Sequence, residues 1–290
     1  MSRRTWRAAL AALPPLMMLV ACSPSGDTGA SSAPASSAAP ASSAPPPSSA
    51  SPAPSSGAPP ASEAPPASSA APPASSTPPS STPAAFSFNP PGHLQSGGAG
   101  ITDPTIYAPG IRFPIEAANA YADSQVYGHG GSNGPGGGQC DAANYSYPWS
   151  DTFCEARAYA TPLCPSGSGH QGQDIRPSTC KAALYNAVAA EDGTITQIAT
   201  YTVYLSADSG RTYRYLHLQM NQLKVHVGDH VTRGQPIGLV SNNFGSTPTT
   251  IHLHFEIKEP VTFGGSTTTT WVPPYSSLVD AYQRLLAGTP

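Results

Sequence analysis

The chain has 290 residues and a formal charge of -3, from 13 Lys and Arg against 16 Asp and Glu, with only 10% of residues charged. That balance, with no basic cluster, argues against a nucleic-acid partner held through a positive surface. The 35 Pro, 27 Gly and five Cys are unevenly spread, so composition divides the chain before any motif is considered.

Residues 1–21 carry Arg3, Arg4 and Arg7, then an apolar run ending Leu19-Val20-Ala21 before Cys22. The run is too short for a membrane span and ends in small residues, as a secretory signal peptide does. Its ending resembles a bacterial lipobox. The resemblance implies that Cys22 becomes a lipidated first residue and that the membrane is a partner through that lipid. Ser23 stands where an aspartate would favour the inner membrane, so the expected location is the cell envelope, anchored in the outer membrane and facing the periplasm. Residues 22–85 are almost only Ser, Ala and Pro, with Asp27 and Glu63 as their charges. Side chains so small cannot offset ordering entropy, which predicts a disordered tether. Its reach is on the order of 200 Å fully extended and roughly 45 Å as a coil.

Residues 86–166 form an irregular, Cys-containing segment rich in Gly, Pro, Asn and Ser. Brief strands are expected near Ile111 to Ile115 and Ser124 to Tyr127. The Gly-rich stretch 128–140 predicts a loop carrying His129, either an extra ligand or simply an exposed histidine. With Cys22 set aside, Cys140, Cys154, Cys164 and Cys180 make an even set suited to two disulfides in an oxidising compartment. Three pairings exist. Cys140 with Cys154 and Cys164 with Cys180 are favoured because each closes a short local loop, contributing roughly 3 kcal/mol in a chain-entropy picture. No C-x-x-C pair points to a cysteine-held zinc.

The segment 167–290 changes rhythm. "GTITQIATYTVYLSA", "RTYRYLHL", "LKVHVGDHV", "PIGLVSN" and "TTIHLHFEI" alternate apolar and polar residues between turn residues, which predicts an antiparallel β domain. Leu278, Tyr282, Leu285 and Leu286 follow at helical spacing after Ser276 and Ser277 and before Gly288, predicting one short helix packed on the sheet.

Strand periodicity puts His252, His254 and Glu256 on one face and Leu253, Phe255 and Ile257 on the other. Two imidazoles therefore project together. In "GSGHQGQDIRP", His170 and Asp174 lie four apart, but Gly169, Gly172 and Pro177 favour an extended or looped segment over a helix. Imidazole and carboxylate are good donors to Zn²⁺. His217 in "YRYLHL" is expected to share a strand face with Tyr213 and Tyr215, where it would either reach a bound water or oxyanion or simply lie half-buried between tyrosines.

"HQGQD", "YRYLHL", "VHVGDHVTRGQPIGLVSN" and "IHLHFEI", in this order, resemble the lysostaphin and LytM family of zinc metalloendopeptidases that cleave peptidoglycan peptides. The resemblance covers roughly residues 167–262, with "WVPPYSSL" also similar to the family's closing segment. It implies a LytM-type antiparallel β domain, a duplicated hybrid motif, with His170, Asp174 and His254 as ligands of Zn²⁺. His217 and His252 become the catalytic imidazoles, with His252 as base, and Tyr215 a further donor to the oxyanion. Glu256 matches a structural position of the pattern. The implied substrate is the peptide cross-link of peptidoglycan. The alternative is a catalytically silent relative that activates cell-wall amidases; the complete ligand set favours the enzyme. The upstream segment is longer than the family domain requires and is expected to cover, shape or occlude the cleft.

Overall fold

The computed structural model describes residues 85–95 and 98–290. The expected signal peptide over 1–21, the lipid-bearing Cys22 and the tether over 22–85 lie outside the described residues, apart from Ala85. Among the described residues no helix is long and apolar enough to cross a membrane.

In chain order the elements are β1 (Ala120–Ala122), β2 (Gln173–Pro177), β3 (Asn186–Val188), β4 (Gly193–Ile198), β5 (Thr202–Ala207), β6 (Thr212–Leu216), β7 (His230–Val231), β8 (Pro236–Leu239), β9 (Leu253–Phe263), β10 (Ser266–Val272) and α1 (Tyr275–Leu286). Eight strands form one sheet in the order β1-β2-β9-β6-β5-β4-β7, with β10 also pairing β9; β3 and β8 form a second, two-stranded sheet. The named strands all pair antiparallel. This is the mainly β architecture expected, with an irregular N-terminal extension and a short C-terminal helix.

The centre is β9. Leu253, Phe255 and Ile257 alternate into the core and are fully buried, beside Tyr213 and Tyr215 of β6. Each such side chain contributes about 1.5–3 kcal/mol when removed from water. Further along, β9 and β10 continue as a hairpin that the sequence reading did not anticipate. Phe263 pairs with Ser266 across Gly264 and Gly265, whose φ of 59° and 81° match a two-residue hairpin turn. The signal was present as two glycines between β-branched runs.

The upstream segment departs from expectation. Ile111, Phe113 and Ile115 are fully buried, yet only Ile115 makes a ladder contact, an isolated bridge to Ala187. Pro114 has no N–H to give a strand, although its carbonyl accepts from Val188. The second predicted strand is a turn, because the Ser124 hydroxyl accepts from the N–H groups of Val126 and Tyr127. The strand present instead is β1, paired to β2.

The disulfides also correct the expectation. Cys140 bonds Cys180 and Cys154 bonds Cys164. Arg176 Nη1 donates to the Gln139 carbonyl, so the end of β2 meets the Gly-rich loop across 40 residues of sequence. Cys154 donates to His170 O while Gly169 donates to Tyr159 O, a pairing that folds 154–164 into its own closed loop. The observed pairing joins the two cysteines nearest in sequence and the two farthest apart.

Two prolines, Pro273 and Pro274, precede α1 and set its start at Tyr275, so Ser276 and Ser277 fall inside its first turn. Leu278 and Tyr282 are buried and Leu285 packs on the core, but Leu286 is exposed. The buried face meets an aromatic cluster of the upstream segment: Tyr282 lies 4.5 Å from Trp149 and 4.9 Å from Phe113 between ring centroids.

Candidate metal centre

Asp174 of β2 and His254 of β9 are directly opposite in register, a relation that places two side chains on one face within reach. His254 Nδ1 lies 2.9 Å from Asp174 Oδ1, and His170 Nε2 lies 3.4 Å from the same oxygen. The donor atoms of His170, Asp174 and His254 all fall within 4.8 Å of one another, and all three residues are buried.

His170 precedes β2 in a loop held by backbone bonds to Cys154 and Glu155. Its Nδ1 is 2.9 Å from the Thr152 carbonyl. That contact makes Nδ1 the protonated nitrogen and leaves the Nε2 lone pair aimed at Asp174. Glu256 Oε1 is 2.8 Å from His254 Nε2, which likewise makes Nδ1 the lone-pair atom when the ring is neutral. Glu256 is held in turn by Arg214 Nε. Partners that fix ring tautomers in this way are what a metal-binding histidine requires. Thr152 further accepts from Asp174 N–H at 3.1 Å, so one upstream residue braces two of the three donors. Three such donors, two N and one O, suit a tetrahedral divalent ion with one open position.

The backbone of Gly172 runs close beneath these groups. A Cβ there would lie 2.8 Å from His254 Nε2 and 2.5 Å from Phe255 O, so only glycine fits the approach.

Two more imidazoles border the group. His252 Nε2 is 3.5 Å from Asp174 Oδ1, and the His217 and His252 rings are 4.6 Å apart. His217 does not share a face with Tyr213 and Tyr215 as predicted. Strand β6 ends at Leu216, and His217 adopts φ 68°, a left-handed conformation that costs of order 1–3 kcal/mol and clusters at functional sites. The turn swings the ring out of the core and into the cleft, where Nδ1 is 2.9 Å from Asn243 O. Tyr215 stays behind in the core. It is fully buried, packs against Phe255, and its hydroxyl accepts from Ala190 N–H, so it does not serve the cleft. His129 stands apart, held by Gly136 O and Asp141 in the Gly-rich loop.

Burial pushes Asp174 up, but His170 and His252 outweigh it and hold the carboxyl well below its ordinary value. Burial lowers His217 to about 4 and takes His252 well below the usual histidine range, leaving both neutral. Burial also lowers His254, yet its bonds to Asp174 and Glu256 overcome this and lift it to about 9.

These groups line a cleft of about 530 Å³. Gln125, Arg157 and Tyr159 of the upstream segment line it too, opposite Tyr201, Tyr204 and Phe244. The upstream segment therefore shapes the cleft as a wall. Of the residues missed in the sequence, Arg214 was findable, since it alternates with Tyr213 and Tyr215 and must face the histidines; Gln125, Thr152 and Thr250 carried no signal.

Residues 168–268, about a third of the chain, match the model of Peptidase family M23, and the donor set above lies within that stretch. No curated protein matches the chain. Among solved structures, the lysostaphin catalytic domain from Staphylococcus simulans is 26% identical over 44% of this chain and 92% of that one, with a TM-score of 0.31. A putative glycyl-glycine endopeptidase from Ruminococcus gnavus is 23% identical over 39% of this chain, with a TM-score of 0.31; the match spans 47% of that protein's length. A complex of SpoIIIAH and SpoIIQ supplies a third likeness, 19% identical over 55% of this chain and 95% of that one, with a TM-score of 0.34. The likeness to that family rests on the sequence match over residues 168–268, not on these superpositions.

Proposed function

We propose that the chain is a zinc-dependent endopeptidase that hydrolyses the peptide cross-links of peptidoglycan, working from a lipid anchor on Cys22 in the outer membrane and reaching the wall from the periplasmic side on its tether. The observation that carries this reading is the convergence of His170 Nε2, Asp174 Oδ1 and His254 Nδ1 in a cleft that also holds two neutral imidazoles. His170, Asp174 and His254 would hold the ion. Zn²⁺, when bound, supplies Lewis acidity that makes water a nucleophile near neutral pH and polarises the scissile carbonyl. His252 accepts the proton of the attacking water at Nε2, since its Nδ1 is occupied by the Thr250 carbonyl at 2.8 Å. His217, fixed through Nδ1 by Asn243 O, presents Nε2–H to the oxygen that gains charge.

The test is the purified chain incubated with cross-linked muropeptides, with and without a chelator, and in the Asp174→Ala variant. The expected result is about one zinc per chain, loss of dimeric muropeptides, and abolition of both zinc and cleavage by chelator or substitution. Stoichiometric zinc binding with no cleavage of muropeptides, or retention of cleavage in Asp174→Ala, overturns it. A silent amidase activator would instead keep its activating effect in Asp174→Ala.

A further inference from the structure

A line of polar contacts runs from the upstream segment, which lies outside the family match, to His252. Arg176 Nε donates to both carboxylate oxygens of Asp123, at 2.9 and 3.1 Å. Asp123 Oδ1 accepts from Gln125 Nε2 at 3.0 Å. That fixes the amide's orientation, because the reversed amide would set its oxygen against both Asp123 Oδ1 and the Asp123 carbonyl. Gln125 Oε1 is thereby turned outward and accepts from the Thr250 hydroxyl. Thr250 Oγ1 lies 3.1 Å from His252 Nδ1, and the Thr250 carbonyl lies 2.8 Å from the same nitrogen. A second upstream amide, Gln139, clamps the intervening backbone by accepting from Ile251 N–H at 2.8 Å.

We propose that Gln125 is a positioning residue for His252: by accepting the hydrogen bond of the Thr250 hydroxyl it obliges that hydroxyl to face His252 Nδ1 as an acceptor, which holds the imidazole with its proton on Nδ1 and its Nε2 lone pair toward the cleft. A hydroxyl can donate or accept. Released from Gln125, it would rotate its proton toward Nδ1 and favour the opposite tautomer, in competition with the Thr250 carbonyl. Gln125 touches no reacting atom; it acts through Thr250. Its effect on turnover rests on the endopeptidase reading above, whereas its effect on the ring does not.

The experiment compares the full chain with Gln125→Leu, Thr250→Val and the double variant, with and without added Zn²⁺. Ring nitrogen NMR reads the His252 tautomer, assigned by its disappearance in His252→Gln; zinc content, thermal unfolding and the kcat and KM for cross-linked muropeptides are measured alongside. In the parent chain His252 is expected as the Nδ1–H form. Gln125→Leu should admit the Nε2–H form and lower kcat by about 10–100-fold, the usual effect of losing an outer partner of a metal site, with KM and zinc content unchanged. Thr250→Val removes the misdirected donor, so the double variant should regain the Nδ1–H form and match Thr250→Val alone. A merely structural role gives no such recovery. An unchanged tautomer in Gln125→Leu overturns the proposal, as does a double variant worse than either single one, or a kcat loss that follows zinc loss or unfolding. Should the parent chain cleave nothing, the endopeptidase reading fails while the ring spectra still decide the role of Gln125.

Discussion

At the scale of single residues, the site depends on one missing side chain as much as on those present. Gly172→Ala would place a Cβ 2.8 Å from His254 Nε2 and against the Phe255 carbonyl. Displacement of His254 from Glu256 should lower zinc affinity by about 10–100-fold, measurable by competition with a chromophoric chelator. A different residue contributes to the pH response of the fold. Asp151 is fully buried; burial pushes its carboxyl up to about 6 although the N–H groups of Gly92 and Phe153 donate to it. A folded-state value above the ordinary carboxylate value of ~3.9 means that its stabilising contribution is complete below that value and is lost as pH rises through about 6. Asp151→Asn should therefore shrink the fall in stability between pH 4 and 7, as followed by urea unfolding; an unchanged pH profile would contradict this. At this scale the sequence was legible wherever a period of two decides geometry. His254 and Glu256 face together because they are two apart on β9. His217 defeated the same rule because the strand ends one residue early and the backbone turns left-handed. Tyr215 was misplaced by the same assumption.

Among elements, the legible ones were those whose burial follows a repeat. Strands β4 to β6 and β9 and helix α1 carry alternating or helical apolar patterns and form within those stretches, although β9 starts later and runs on to Phe263 and α1 starts at Tyr275. The segment from Ile111 to Ile115 has the apolar pattern and bonds to the chain at 188–190 through Arg112 N–H and Pro114 O, but with no N–H at Pro114 it makes only the isolated bridge at Ile115. Cysteine pairing was illegible because it is set by contacts across 40 residues in one bond and by a locally folded loop in the other. Helix α1 owes its place to the aromatic cluster more than to the sheet. Tyr282→Ala would remove a ring packed on Trp149, Phe113 and Phe86, and should cost about 3–5 kcal/mol in denaturant unfolding. A loss below about 1 kcal/mol would mean the cluster closes over the gap, contrary to its packing.

Across the whole molecule, the described residues all belong to one compact unit, and the upstream segment supplies the braces of a site whose donors come from elsewhere. Thr152 holds His170 and Asp174, and the Cys154–Cys164 bond closes the loop that starts two residues later. Replacing both cysteines by serine should destabilise the chain by about 3 kcal/mol and weaken zinc retention, with thermal unfolding and metal content as the readouts. Full retention of zinc would separate the loop from the site.

The bonds of α1 reach far back along the chain. Ser277 Oγ accepts from Ala108 N–H across 169 residues, and Tyr282 OH accepts from Ala120 N–H across 162. A polypeptide made from its amino end must therefore wait for α1 before the stretch that steadies Asp174 and His252 can settle. Contacts so distant are made late in folding. The donor cluster is then framed only once α1 is in place, and a chain cut short before Tyr275 would carry His170, Asp174 and His254 and still lack the frame that holds them ready.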